Sequence, residues 1–187
     1  MKIVREKSML CQSCMEEHGV KIITVNETNF FKDTSVEYSA LYYYCERTGD
    51  FYCDEKMMTK NDIAMKNAYR RTKGLLTLDE IIGIRNKYGI TQRDLCRLLG
   101  WGEKTITRYE GHQVQDFAHD SILRKLANDP AWFLSLLENP QLSLFVADKT
   151  RYKKKAELFL GEKYPFYRGQ ALLARRIRNS RTNFVIQ

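Results

Sequence analysis

The chain lacks the signatures of several large classes of protein. No apolar run approaches the roughly 18–20 residues needed to cross a bilayer, so no membrane association is expected. The opening stretch, MKIVREKSMLCQ, has no long apolar segment ahead of a cleavage site, and a cytoplasmic location is expected. No internal repeat and no low-complexity stretch breaks the sequence, which sets aside solenoids and disordered linkers. Glycines never cluster into a phosphate-binding loop. The three histidines, His18, His112 and His119, belong to no nucleophile–base pattern, and no paired carboxylates sit in a pocket-like context. An enzyme is therefore not expected.

What remains is a foldable, basic chain of 187 residues, enough for one large or two small domains. A hydrophobic content of 43% with 12% aromatics favours packed cores over disorder. The net charge of +8 is concentrated at one end: residues 140–187 hold eleven Lys/Arg and three Asp/Glu, so the preceding 139 residues are neutral overall. A basic extension on a neutral body suits an acidic partner, with DNA phosphate the foremost candidate. Solvation of a basic helix face is the plainer use of such a run.

Four of the five cysteines lie in the first 53 residues. Cys11 and Cys14 form a C-x₂-C of zinc-knuckle spacing, and in a cytosolic protein such a pair points to metal before disulfide. Cys45 and Cys53 are candidates to complete a Cys₄ zinc site, provided the turn at residues 48–50 folds back. His18 is the rival fourth ligand, and a knuckle without metal is the third outcome. Between the cysteines, residues 20–25 and 36–44 are rich in β-branched and aromatic residues, and residues 51–52 follow a turn. They predict a small antiparallel sheet over about residues 18–54, preceded by a short leader of ten residues. The run Tyr42 to Tyr44 is expected to pack that sheet.

From residue 54 the period becomes helical. Met57, Ile63, Met65, Ala68 and Tyr69 recur among charged residues, with Thr59 or Asn61 as caps and Gly74 as the stop. This predicts a linker helix over 56–74 whose basic end, Arg70 to Lys73, either touches phosphate or answers the helix dipole. Thr77 followed three later by Glu80 is a capping box. Thr91 caps the next helix, Gly100-Trp101-Gly102 breaks it, and residues 103–109 (EKTITRY) open another. A capped helix, a tight glycine turn and a short second helix with small polar and basic positions make a helix-turn-helix. Ile106 and Cys96 are expected in the core. Lys104, Thr105, Thr107 and Arg108 are expected outward, with Lys104 and Arg108 on one face and able to reach guanine O6/N7. Helices over residues 120–126 and 130–137 follow, the second with Pro130 at its first position. In the tail, residues 151–160 and 169–177 read as helical, Leu172, Leu173 and Ile177 forming an apolar stripe.

The motif TQ-x-x-L-C-x-x-LG followed by I-x-RYE, residues 91–110, resembles the phage-repressor (Cro/repressor) helix-turn-helix family. Cys96 replaces its usual alanine and His112 an often-used glycine. With the cysteine-bearing N-terminus, residues 11–138 resemble the MqsA-type antitoxins, in which a second C-x₂-C stands where this chain has Cys45 and Thr48. An α+β chain in four parts is expected. A zinc-finger-like domain occupies 1–55, a linker helix 56–74, a five-helix DNA-binding domain 75–138 and a basic helical extension 139–187, in which the chain differs from the family. For the rest, the resemblance implies Gln92 on phosphate, base reading by Lys104 and Arg108, and a homodimer on a palindromic double-stranded operator. It implies further that the N-terminal domain neutralises a cognate toxin and that the operator belongs to the toxin–antitoxin pair itself. A transcriptional regulator without a toxin partner uses the same helix-turn-helix residues.

Overall fold

The structure, a computed structural model, describes residues 1–163, with side chains through residue 160. Among these residues it is an α+β chain, four antiparallel strands followed by seven helices. Among the described residues no helix is long and apolar enough to cross a membrane. Two compact units divide the chain: residues 1–80 with 108–117, and residues 81–107 with 118 onward.

The first unit is built on β1 (Lys2–Leu10), β2 (Glu17–Phe31), β3 (Thr34–Tyr44) and β4 (Phe51–Tyr52), ordered β1-β2-β3-β4. The expected leader is strand β1, paired with β2 from Lys2↔Thr24 to Leu10↔Glu17. The consecutive charges Arg5, Glu6 and Lys7 break any alternation and hid an edge strand that is exposed along nearly its whole length. The β2–β3 pairing runs from Lys21↔Tyr44 to Phe31↔Thr34. Residues two apart therefore share a face, and the faces carry different cores. On one, Val20, Ile22 and Tyr43 pack with Cys11, Cys45 and Met57. On the other, Val36 packs with Ala68 and Tyr69, flanked by Phe31, Tyr38 and Met65.

Helix α1 (Glu55–Thr72) supplies residues to both cores, so it is part of the sheet's unit and not a free linker. Its cap is Asp54, whose carboxylate accepts from the Met57 N–H, and not Thr59 or Asn61. Asn61 has another task. Its Oδ1 accepts the Leu41 N–H at 2.8 Å and its Nδ2 donates to the Leu41 carbonyl at 2.9 Å. One side-chain amide thus satisfies both backbone groups of a β3 residue, as a neighbouring strand would. Asn61→Ala is expected to cost about 1–3 kcal/mol, read as a lower urea midpoint with an unchanged denaturant slope.

The second unit contains most of α2 (Leu78–Tyr88), all of α3 (Gln92–Leu99), the start of α4 (Thr105–Tyr109), most of α5 (Phe117–Asn128), α6 (Pro130–Leu137) and α7 (Val146–Lys163). Its core includes Ile81, Tyr88, Leu95, Leu123, Leu126, Phe133 and Leu137. The Tyr88 and Phe133 rings stack with centroids 3.9 Å apart, and the Tyr88 hydroxyl donates to the Leu126 carbonyl at 2.7 Å. Burial pushes the Tyr88 phenol up, so it stays protonated as the donor. The first part of the tail packs back on this unit: Tyr152 and Ala156 of α7 are fully buried, and the Tyr152 hydroxyl donates to Asp94 Oδ2 at 2.7 Å. Arg151, Lys153, Lys154 and Lys155 stay on the exposed side. The second expected tail helix, with Leu172, Leu173 and Ile177, lies outside the described residues.

Candidate metal centre and candidate nucleic-acid interface

Two turns of the first unit have the same backbone. After Cys11 the chain reverses so that the Met15 N–H donates to the Cys11 carbonyl at 2.8 Å and the Cys11 N–H to the Glu16 carbonyl at 2.9 Å. After Cys45 the Gly49 N–H donates to the Cys45 carbonyl at 2.8 Å and the Cys45 N–H to the Asp50 carbonyl at 3.0 Å. Each turn passes through the left-handed region at its fifth residue, Met15 at φ 58° and Gly49 at φ 78°. These are paired knuckles. In this correspondence Thr48 occupies the place of Cys14.

The thiols of Cys11, Cys14 and Cys45 and a ring nitrogen of His18 lie within 4.8 Å of one another. His18 Nε2 is 3.3 Å from Cys14 Sγ and 3.7 Å from Cys45 Sγ. In a tetrahedral centre with metal–sulfur bonds of about 2.3 Å and metal–nitrogen bonds of about 2.0–2.1 Å, such edges are roughly 3.6 Å. The residues therefore fit a four-coordinate ion. His18 Nδ1 is 2.8 Å from the Gly19 carbonyl, an acceptor that places the ring proton on Nδ1 and leaves the Nε2 lone pair for the ion. Four protein ligands leave no position for substrate, so such an ion is structural.

The electrostatics of the three thiols differ. Burial pushes the Cys11 thiol up, but the backbone N–H of Cys14, the Tyr52 hydroxyl at 3.6 Å, the Ser13 N–H and His18 outweigh it and hold the thiol at about 5. The Thr48 hydroxyl, and then the N–H groups of Thr48 and Arg47, lower Cys45 against the effect of burial. Burial and the neighbouring Cys11 and Cys45 raise Cys14 to about 11. Thiolates this close are mutually repulsive until a cation joins them.

Of the two candidates for the fourth position, the structure brings His18 to Cys11, Cys14 and Cys45, and it does not bring Cys53. The β3–β4 register, Tyr43↔Tyr52 and Tyr44↔Phe51, gives Tyr52 the position that reaches Cys11. Cys53, one residue past the strand, packs at the margin of the same apolar cluster. The turn at residues 48–50 does fold back, but it brings the Thr48 hydroxyl to Ser13 Oγ at 2.6 Å, beside Asp50, whose Oδ2 accepts from Ser13 at 2.7 Å.

Helices α3 and α4 form the second candidate site. The Thr91 hydroxyl accepts the Asp94 N–H, and Gly100 closes α3 at φ 67°, a left-handed conformation that favours glycine. The Ile106 N–H donates to Cys96 Sγ at 3.4 Å and both residues are fully buried, which gives the cysteine a role beyond filling an alanine's place. The Trp101 ring meets His119 edge-on at 4.2 Å, holding the turn against α5. The Thr107 hydroxyl donates to Gln92 Oε1 at 3.0 Å, so an exposed side chain of α4 bonds to the first residue of α3.

Of the expected outward residues, Lys104, Thr107 and Arg108 are exposed and Gln92 is half-buried. Thr105 is corrected: it is 7% exposed, because it is the first residue of α4 and its N–H turns inward to the Gly102 carbonyl at 2.9 Å. Lys104 precedes α4 rather than riding on it. Glu103, beside it, is paired with Arg93 at 3.4 Å. Tyr109 is buried. Arg70, a possible phosphate contact from sequence, is 1% exposed and held wholly within the first unit.

Set beside known proteins, the chain matches no protein-family model and no curated protein.

Proposed function

We propose that this chain is a sequence-specific DNA-binding regulator with a zinc-organised N-terminal unit. The observation that carries the reading is the pair α3–α4: a capped helix, a left-handed glycine stop and a second short helix that exposes Thr107 and Arg108, with exposed Lys104 just before it. Small and basic residues there suit close approach to a major groove, with long side chains for guanine edges. The Thr107–Gln92 bond supports a fixed geometry between the phosphate-facing start of α3 and the reading side of α4. Exposed Lys153, Lys154 and Lys155 on α7 add positive charge to the same unit.

Zinc is the ion the donor set favours. Three thiolates and one imidazole in tetrahedral array match its ligand preferences, whereas calcium and magnesium take oxygen. Its role is to join the two knuckles and so complete the core around Val20, Ile22, Tyr43 and Met57. The finer reading follows the resemblance to MqsA-type antitoxins. The protein acts as a homodimer on a palindromic operator, represses its own operon and neutralises a cognate toxin through the first unit.

Selection from a random-sequence duplex pool tests the DNA reading, with enrichment of a palindrome whose half-sites are about one helical turn apart as the expected outcome. No enrichment at low salt contradicts it. Co-purification of the product of the adjacent gene tests the antitoxin reading; its absence leaves a regulator without a toxin partner.

A further inference from the structure

Arg70 stands near the end of α1, in the sheet's unit, yet nothing in the metal centre uses it. Its guanidinium is 1% exposed, and burial pushes its pKa down. Among the described residues no carboxylate forms an ion pair with it. Instead Nε donates to Gln115 Oε1 at 3.0 Å, Nη1 to Asn67 Oδ1 at 2.9 Å, and Nη2 to the carbonyls of Tyr109 at 3.1 Å and Gln113 at 2.8 Å. A buried cation with no carboxylate in direct contact is costly to keep, and four well-formed bonds, with the more distant charge of Asp62, are the compensation.

Those bonds converge on one short segment. The Gly111, His112 and Gln113 N–H groups donate to the Arg108 carbonyl at 3.3, 3.0 and 2.8 Å, so residues 109–113 wrap around the backbone of Arg108. Arg70 grips this wrap at both ends, through Tyr109 and Gln113. Gln115 extends the grip, its Nε2 donating to the Leu76 carbonyl at 2.6 Å. Asn67 completes it by accepting the Leu78 N–H at 3.0 Å, at the start of α2. Residues 108–117 accordingly belong to the sheet's unit, although α4 begins in the other.

We infer that Arg70 is a positioning residue for DNA reading: from the sheet's unit it fixes the backbone from which Arg108 reaches its base. The inference rests on the DNA-binding proposal above. It makes Arg108 the reading residue sensitive to the state of the metal-organised unit, while Lys104, just before α4, belongs to the other unit.

The test uses the full-length protein and the duplex that the wild type selects from a random pool, with each base pair of a half-site substituted in turn. For Arg70→Met, with metal content retained, discrimination is expected to fall roughly tenfold or more at the one base pair that Arg108→Ala also relaxes. Discrimination at the base pair relaxed by Lys104→Ala is expected to stay. Hydrogen exchange of the Gly111, His112 and Gln113 amides is expected to quicken, with the β2 and β3 amides unchanged. If Arg70→Met does not fold, Gln115→Ala is read instead, and a smaller loss at the same base pair is expected. Discrimination unchanged in a folded variant, or lost equally at every base pair, overturns the inference. A wild type that selects no sequence removes the DNA reading and with it the role assigned here; a wild type that selects one, with unaltered variants, removes this inference alone.

Discussion

Stripping metal from the protein with a strong chelator is expected to unfold the first unit and leave the second folded. Structural zinc contributes on the order of 10 kcal/mol or more of binding free energy, while a whole domain is stable by only about 5–15 kcal/mol. In this chain two of the candidate ligands are also core residues: Cys11 and Cys45 are fully buried beside Val20, Ile22 and Met57. Without the cation, close thiolates repel or take up protons, and the two knuckles lose the centre that joins them. Cys45→Ala is expected to have the same outcome, and His18→Ala a smaller one, because water can take the fourth position. Calorimetry distinguishes the units, with one of two transitions lost on chelation and restored by zinc. A chelated protein with both transitions intact contradicts the metal's structural role.

The second large effect is expected on DNA. Arg108→Ala is expected to weaken operator binding by about 1–3 kcal/mol and to relax one base preference, and Lys104→Ala to act similarly at another position. Together they are expected to cost about 2–6 kcal/mol, since losses at separate base pairs add roughly. Thr105→Ala is expected to show no comparable loss of discrimination, because that side chain is buried at the start of α4. Titration of labelled operator with each variant checks the set. Unchanged affinity for Arg108→Ala removes the assignment.

Much of this was legible in the residues. Thr91, Gly100 and the apolar positions of α3 announced its limits, because caps and left-handed glycines act locally. Pro130 after Asp129 marked α6, where the Asp129 side chain accepts the Trp132 N–H as a cap should. The sheet was visible where β-branched and aromatic residues crowd β2 and β3. Its edge was not. β1 carries Arg5, Glu6 and Lys7 in succession and is exposed along nearly its whole length, so nothing in its composition separates it from a tail until Glu17–Phe31 is there to pair with it.

The fourth ligand shows the other kind of limit. Residue type put Cys53 forward, although its spacing from Cys45 is not that of a second C-x₂-C, and His18 stood as its rival. What brings His18 and not Cys53 to the group is register, which places Tyr52 next to Cys11, and the Gly19 carbonyl beside the His18 ring. Both are tertiary facts. Arg70 is similar: a basic residue at a helix C-terminus reads as a dipole partner or a phosphate contact, and only residues some forty positions away reveal it as a buried clamp.

The most direct test of the account compares equilibrium binding of the selected operator with that of a scrambled duplex of the same length and composition, at one fixed physiological salt concentration. The predicted result is a preference of about 10³ or more for the operator, collapsing toward the scrambled value when Lys104 and Arg108 are both replaced by alanine. Equal affinity for the two duplexes contradicts the central claim, whatever the metal content of the protein.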